Sequence, residues 1–132
     1  MNRFLGPHAE YAYAAMRIVA GFLLSCHGAQ KLFGALGGQA ELGDPLMLTA
    51  GCIEFFCGIL IAVGLFASYA AFLASGEMAV AYFKVHAGHS FWPILNKGEL
   101  AVAFCFLFLY IAFRGSGTIS LDHVLKGYKG PI

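Results

Sequence analysis

The sequence predicts an all-α fold: an integral membrane four-helix bundle with short loops. Composition is the first reason, because 60% of the 132 residues are hydrophobic, 11% are charged and mean hydropathy is +0.76, whereas soluble domains average about 25% charged residues. Length is the second, since there is room for about four helices of roughly 20 residues, enough to cross a bilayer. The net charge of +1 argues against a nucleic-acid-binding surface, so we expect membrane lipid and membrane proteins as partners.

The whole chain is predicted to form a single transmembrane domain, because no linker separates its apolar segments. Helix one follows the breaking pair Gly6-Pro7, and its apolar run is too long for a signal peptide. Helix two has a sharp start, since Asp44 suits an N-cap and Pro45 the first helical position. The predicted helices cover about residues 10–33, 46–66, 69–85 and 97–114, and a polar tail covers 115–132.

The later boundaries have weaker signals. Only residues 67–69 are available to connect helices two and three, so that break rests on total length exceeding one bilayer crossing. Trp92 lies in the loop after helix three and suits the aromatic belt of a membrane surface. Asn96 stands three residues before Glu99, which predicts a capping box at the start of helix four.

Four spans place both termini on one side of the membrane. That side carries Arg3, Arg114, Lys126 and Lys129, against Lys31, Lys84 and Lys97 on the other. Because positively charged residues accumulate on the cytoplasmic side, the count favours a multi-pass protein with cytoplasmic termini.

Ionisable and polar side chains within the apolar segments form the candidate site. Such groups are costly in hydrocarbon, so they normally face the interior of a bundle and find partners there. Helical spacing places Glu54 on the face of Gly51 and Gly58, and places Lys31 on the face of Gly21 and Gly28. These faces should turn inward together, and three acids can then meet three bases.

Depth along the helices predicts a pocket. At a rise of about 1.5 Å per residue, His27 lies roughly 9 Å below the side of the first loop, and Glu54 and Glu77 each lie roughly 12–14 Å below it. Arg17 lies roughly 24 Å deep. We therefore expect a polar pocket that opens toward the loop at 34–45, with Arg17 at its floor.

Two interpretations of this cluster stay open. Buried ion pairs could fix helix register and do no chemistry. Alternatively, the cluster binds a small amphipathic ligand and exchanges protons with it, with His27, Glu54 and Glu77 as catalytic groups. The ligand-binding residues would then be Arg17, Gln30, Lys31, Lys84, His86 and Glu99. No metal or haem site is predicted, since His27 and His86 lack further ligands at suitable spacing, and the four cysteines are expected to be free thiols.

Motifs along nearly the whole chain resemble those of the DoxX family. In order they are HGAQKLFG ending at Gly34, AGCIE from Ala50, GLF from Gly64, EMAVAYF from Glu77, FWP from Phe91, KGELAVAFCFLFLY from Lys97 and SLD from Ser120. Many members carry an arginine shortly after GLF, where this chain has Ser68. The family's polar positions correspond here to Arg17, His27, Gln30, Lys31, Glu54, Glu77, His86 and Glu99.

The resemblance implies a four-helix protein of a bacterial cytoplasmic (inner) membrane. Relatives include subunits of a thiosulfate:quinone oxidoreductase and of other membrane oxidoreductase complexes linked to thiol or oxidative stress. It therefore implies a quinone-interacting subunit that acts with a partner protein or as a homo-oligomer. In that role His27 or Lys31 would hydrogen-bond a quinone oxygen, and Glu54 or Glu77 would deliver protons. More distant relatives act as chaperones or cargo receptors, so a non-enzymatic scaffold, an assembly factor or a small-solute permease stays open as the alternative.

Overall fold

A computed structural model describes residues 3–127, and helices form all the regular secondary structure in that range. The predicted all-α class is confirmed there. Residues 128–132 of the predicted tail, which include Lys129, lie outside the described residues. The helices are α1 (Ala9–Phe33), α2 (Pro45–Val63), α3 (residues 67–86), α4 (Pro93–Asn96), α5 (Glu99–Arg114) and α6 (Leu121–Leu125).

Helix α1 begins one residue before the predicted start and ends at the predicted residue. A 3-10 turn, Gly6–His8, leads into it. Gly34 ends the helix in the left-handed conformation, with φ +67°, and its N–H donates to the carbonyl of Gln30. Glycine adopts this backbone without the strain a Cβ would bring, so the sequence itself places the end of the helix.

Helix α2 begins at the predicted cap, since the Asp44 carboxylate accepts the N–H of Leu46 at 3.0 Å. It ends three residues early, at Val63, because Gly64 adopts φ +73° and closes the helix. The connection predicted at 67–69 therefore lies at 64–66. The overlooked signal was the glycine, which stops a helix irrespective of the length still available.

Two helices contain a π-helical turn. One is Ile53–Cys57 in the middle of α2, and the other, Tyr82–His86, continues α3 beyond its regular part Ala67–Ala81. Such turns widen a helix locally by accepting one extra residue, and they recur at functional sites. Here they contain Glu54 and Lys84, two of the predicted site residues.

The predicted capping box at the start of α5 is wrong. Asn96 belongs to α4, and its Oδ1 accepts the N–H of Gly98 at 2.8 Å. No side chain caps α5, which begins at Glu99. The reason is Lys97, whose left-handed backbone (φ +63°) separates the two helices and removes Asn96 from the N-cap position.

The long helices pack as two pairs, α1 with α2 and α3 with α5. Glycines bring the first pair into backbone contact: a Cβ on Gly21 would lie 2.5 Å from an α2 backbone atom, and one on Gly28 would lie 2.3 Å away. In the second pair, the hydroxyl of Ser75 donates to the carbonyl of Cys105 at 2.7 Å. Helix α3 meets α2 mainly from Ile53 onward. The two pairs therefore diverge toward the start of α2, along residues 45–52.

Arg17 joins α2 to the segment after α5 and does not pair with a glutamate as predicted. Its guanidinium is buried, with 2% of the residue exposed, and donates to the carbonyls of Ile61 and Ile119 at 2.9 Å each and to that of Ser116. Ile61 lies in the last turn of α2, whereas Ser116 and Ile119 lie in the non-helical segment between α5 and α6. Backbone carbonyls are strong hydrogen-bond acceptors, and these three replace the carboxylates that were predicted to pair with this cation.

Two described helical segments, Gly6–Phe33 and Pro45–Val63, are long and apolar enough to cross a membrane. Helix α5 has 16 residues, which corresponds to about 24 Å of helix. Helix α3 carries Glu77 and Lys84 within its apolar sequence. By length and composition, residues 3–127 thus contain two candidate membrane spans and two long helices packed beside them.

Candidate functional site

A cleft of about 820 Å³ lies where the two helix pairs diverge. Small-molecule pockets typically have volumes of about 300–1,000 Å³. Side chains of α1, α2, α3 and α5 line the cleft, and most of them are apolar. Six of the nine predicted site residues also line it: His27, Lys31, Glu54, Glu77, Lys84 and His86.

An ion pair lies at the inner end of the cleft, which is the region around Glu54 and Glu77. The Nζ atom of Lys31 on α1 lies 2.6 Å from Oε2 of Glu54 in the π turn of α2. The Glu54 side chain is 4% exposed and that of Lys31 22%. A buried carboxylate requires such a partner, and the pair also ties α1 to α2 close to their glycine contact.

Glu77 faces the same region from α3. Its Oε2 is buried and is the one such side-chain atom in residues 3–127 without a hydrogen-bond partner. The Glu77 carboxyl group interacts electrostatically with the carboxyl group of Glu54 and with the ammonium group of Lys31. Two acids thus share a single ammonium group. Because buried polar atoms are nearly always paired, an atom left over at the wall of a cleft indicates a ligand or a proton that completes the site.

The mouth of the cleft is the end lined by Lys84, His86 and Lys97. Both lysines are exposed, while Nδ1 of His86 lies 3.1 Å from the carbonyl oxygen of Asn96. His27, which is half-buried, also lines the cleft, one turn of α1 before Lys31. The cleft therefore has basic side chains at its mouth and both acids at its inner end.

Three predicted site residues do not line the cleft. Arg17 is bound to carbonyl groups at the other end of the bundle, so it does not form the predicted floor. The Nε2 of Gln30 donates to the carbonyl of Leu36 at 3.1 Å and supports the loop after α1. Glu99 is exposed at the first position of α5. Because none of the three lines the cleft, their predicted ligand-binding role stays a prediction without support from this cleft.

Sequence reasoning missed Lys97 as a lining residue and missed the role of Asn96. Lys97 enters the cleft lining because its left-handed backbone turns the chain between α4 and α5. The Nδ2 of Asn96 donates to the hydroxyl of Tyr82 at 3.1 Å and to the carbonyl of Ser90 at 2.7 Å. The dipeptide Lys97-Gly98 was the available signal for a turn there, whereas the π turns have no recognised sequence signal.

The described residues contain no cluster of three or more His, Cys, Asp or Glu side chains that could hold a metal ion. Cys26, Cys52, Cys57 and Cys105 are free thiols, as predicted.

Comparison with known proteins identifies the family. The DoxX family profile matches residues 12–87, which contain α1 from its fourth residue onward, α2 and α3. An uncharacterised protein of Haemophilus influenzae is 42% identical over 126 residues, covering 90% of this chain and 94% of its own length. No solved structure gives a significant match. On the extent of both sequence matches, the chain belongs to the DoxX family.

Proposed function

We propose that the protein is a four-span subunit of an oxidoreductase complex in a bacterial cytoplasmic membrane and that its cleft binds a quinone. Electrons would come from a sulfur compound or from a partner protein, as the family resemblance implies. The observation that carries the proposal is the pair of adjacent carboxyl groups, Glu54 and Glu77, which share the single ammonium group of Lys31 at the inner end of a mostly apolar cleft.

Exposed aromatic residues support the four-span arrangement. Phe22 on α1, Phe56 on α2, Phe83 on α3 and Phe106 on α5 are each between 58% and 65% exposed and do not line the cleft. Large apolar side chains on the outside of every long helix would be unfavourable in water and favourable against lipid. We therefore place all four helices in the bilayer, although α3 and α5 are less apolar or shorter than typical spans.

The residues of the cleft fit a quinone ring. Apolar walls suit the ring and its hydrocarbon tail, while Lys31 and His27 offer donors to a quinone oxygen. A bound quinone accepts two electrons and two protons. Glu54 and Glu77 are adjacent carboxyl groups, so a proton on either one makes them donor and acceptor to each other and holds that proton at the inner end.

A photoreactive short-chain quinone analogue tests the binding site. The full-length protein in lipid nanodiscs is labelled with and without excess unlabelled quinone, and labelled peptides are identified by mass spectrometry. We expect protectable labelling of cleft residues in the wild type. Gly76→Phe should reduce it about tenfold or more, since Gly76 lines the cleft with open space beside it and a phenyl ring would occupy that space.

The matched control is Leu23→Phe, because Leu23 is exposed on α1 and does not line the cleft. Its labelling should equal that of the wild type. If the wild type shows no protectable labelling, the quinone proposal is wrong. If Gly76→Phe is labelled as strongly as Leu23→Phe, the quinone binds somewhere other than the cleft.

A non-enzymatic scaffold or assembly factor is the second candidate. It is favoured by the Lys31–Glu54 pair, which joins α1 to α2 and therefore has a structural use without any ligand. This candidate predicts no protectable labelling and a partner polypeptide that co-purifies with the gently solubilised protein.

A further inference from the structure

Two lysines at the mouth of the cleft have no counter-ion. Lys84 lies in the π turn of α3, and Lys97 lies between α4 and α5. Both line the cleft and are exposed. In the described part of the chain, neither forms an ion pair. Two uncompensated ammonium groups thus face the same open cavity.

Buried hydrogen bonds fix the backbone that carries these lysines. Asn96, the residue before Lys97, is buried and bonds through its side chain to the Tyr82 hydroxyl and through its carbonyl oxygen to the ring of His86. Tyr82 and His86 are the two ends of the π turn that contains Lys84. These bonds therefore connect the backbone that carries Lys84 to the backbone that carries Lys97, which limits how far the two can move apart.

Apolar side chains surround this basic mouth. Phe91, Trp92, Ile94 and Leu95 precede Lys97 and are between 63% and 77% exposed. Inside the mouth, the cleft wall continues with Val80 and Leu100. Aromatic residues beside lysines are typical of the membrane–water interface. A ligand that satisfies this surface needs an anionic head and an apolar tail.

We propose that the mouth of the cleft binds the headgroup of an anionic phospholipid of the phosphatidylglycerol class, with an acyl chain along the apolar wall. The charges are complementary to a phosphate, since no acid lines the mouth: Glu41, Asp44 and Glu99 lie outside the cleft. The inference goes beyond the proposed function and does not rest on it, because Lys84 lies about 10 Å along α3 from Glu77.

Trp92, the single tryptophan, reports on lipid at the mouth. The full-length protein is reconstituted in mixed vesicles of phosphatidylglycerol and phosphatidylcholine, one of which carries bromine on its acyl chains and quenches tryptophan on contact. We expect brominated phosphatidylglycerol to quench Trp92 with an apparent affinity about tenfold higher than brominated phosphatidylcholine, since each lysine near a membrane surface attracts anionic lipid.

The double variant Lys84→Gln/Lys97→Gln should lose this preference, and Lys126→Gln should keep it, because Lys126 is exposed and does not line the cleft. Equal quenching by both lipids in the wild type would overturn the proposal, as would an unchanged preference in the double variant. Excess soluble glycerophosphate should have no effect, and loss of the preference in its presence would assign the site to a soluble anion. No quinone enters this assay, so its result is independent of the proposed function.

Discussion

Replacing Gly28 with alanine tests the backbone contact between α1 and α2. A Cβ on Gly28 lies 2.3 Å from the backbone nitrogen of Phe55 and 2.6 Å from its Cα. Ordinary contact begins at 3.4 Å, so the helices must separate by about 1 Å at this point. Both obstructing atoms are backbone atoms, and no side chain can rotate away. Overpacking that side chains can partly absorb costs about 1–3 kcal/mol of stability. We therefore expect Gly28→Ala to lower the free energy of unfolding by about 3 kcal/mol or more.

The free energy of unfolding can be measured by circular dichroism as the protein is titrated with denaturing detergent. Gly76→Ala is the matched control, because Gly76 is also helical but a Cβ there meets no atom within 4 Å. Alanine is the better helix former, so the control should be unchanged or up to about 1 kcal/mol more stable. If Gly28→Ala is as stable as Gly76→Ala, the close approach of α1 and α2 is wrong.

Three polar contacts are tested by the same unfolding measurement. Arg17→Gln should lower stability by about 3 kcal/mol, because a neutral amide cannot satisfy all the carbonyls to which the guanidinium donates. Stability equal to that of the wild type would contradict these hydrogen bonds. Glu54→Ala should lower it by about 2 kcal/mol by leaving Lys31 without its partner, and the additional change Lys31→Ala should restore part of the loss. Asp122→Ala should lower stability by about 1–2 kcal/mol, since the carboxylate accepts the N–H of Phe66. Asp122→Asn keeps an acceptor oxygen and should lower stability less. Equal losses of stability in the two variants would exclude this contact.

Local rules correctly predicted the features that depend on neighbouring residues. Asp44 and Pro45 predicted the start of α2, and the breaker Gly34 predicted the end of α1. The small-residue faces that contain Gly28 and Gly58 predicted the contact between the first two helices. Such features follow from helical periodicity and from the backbone preferences of single residues, which a sequence displays directly.

The hydrogen-bond partners of Arg17 could not be predicted from the sequence. A buried cation needs partners, but the sequence suggested carboxylates within the same apolar segments. The actual acceptors are carbonyls of Ile61 and Ser116, which are 44 and 99 residues away along the chain. Every residue carries a carbonyl, so no sequence pattern marks the ones that the folded chain leaves available as acceptors.

Helical spacing therefore predicted that Lys31 and Glu54 face the inside of the bundle, and both line the cleft. The cleft itself was decided by tertiary structure. It exists because α1 pairs with α2 and α3 with α5, and because the pairs diverge along residues 45–52, before Ile53. Periodicity determines which side of a helix is polar, but the separation between two helices depends on how all of their side chains pack together, and no single segment contains that information.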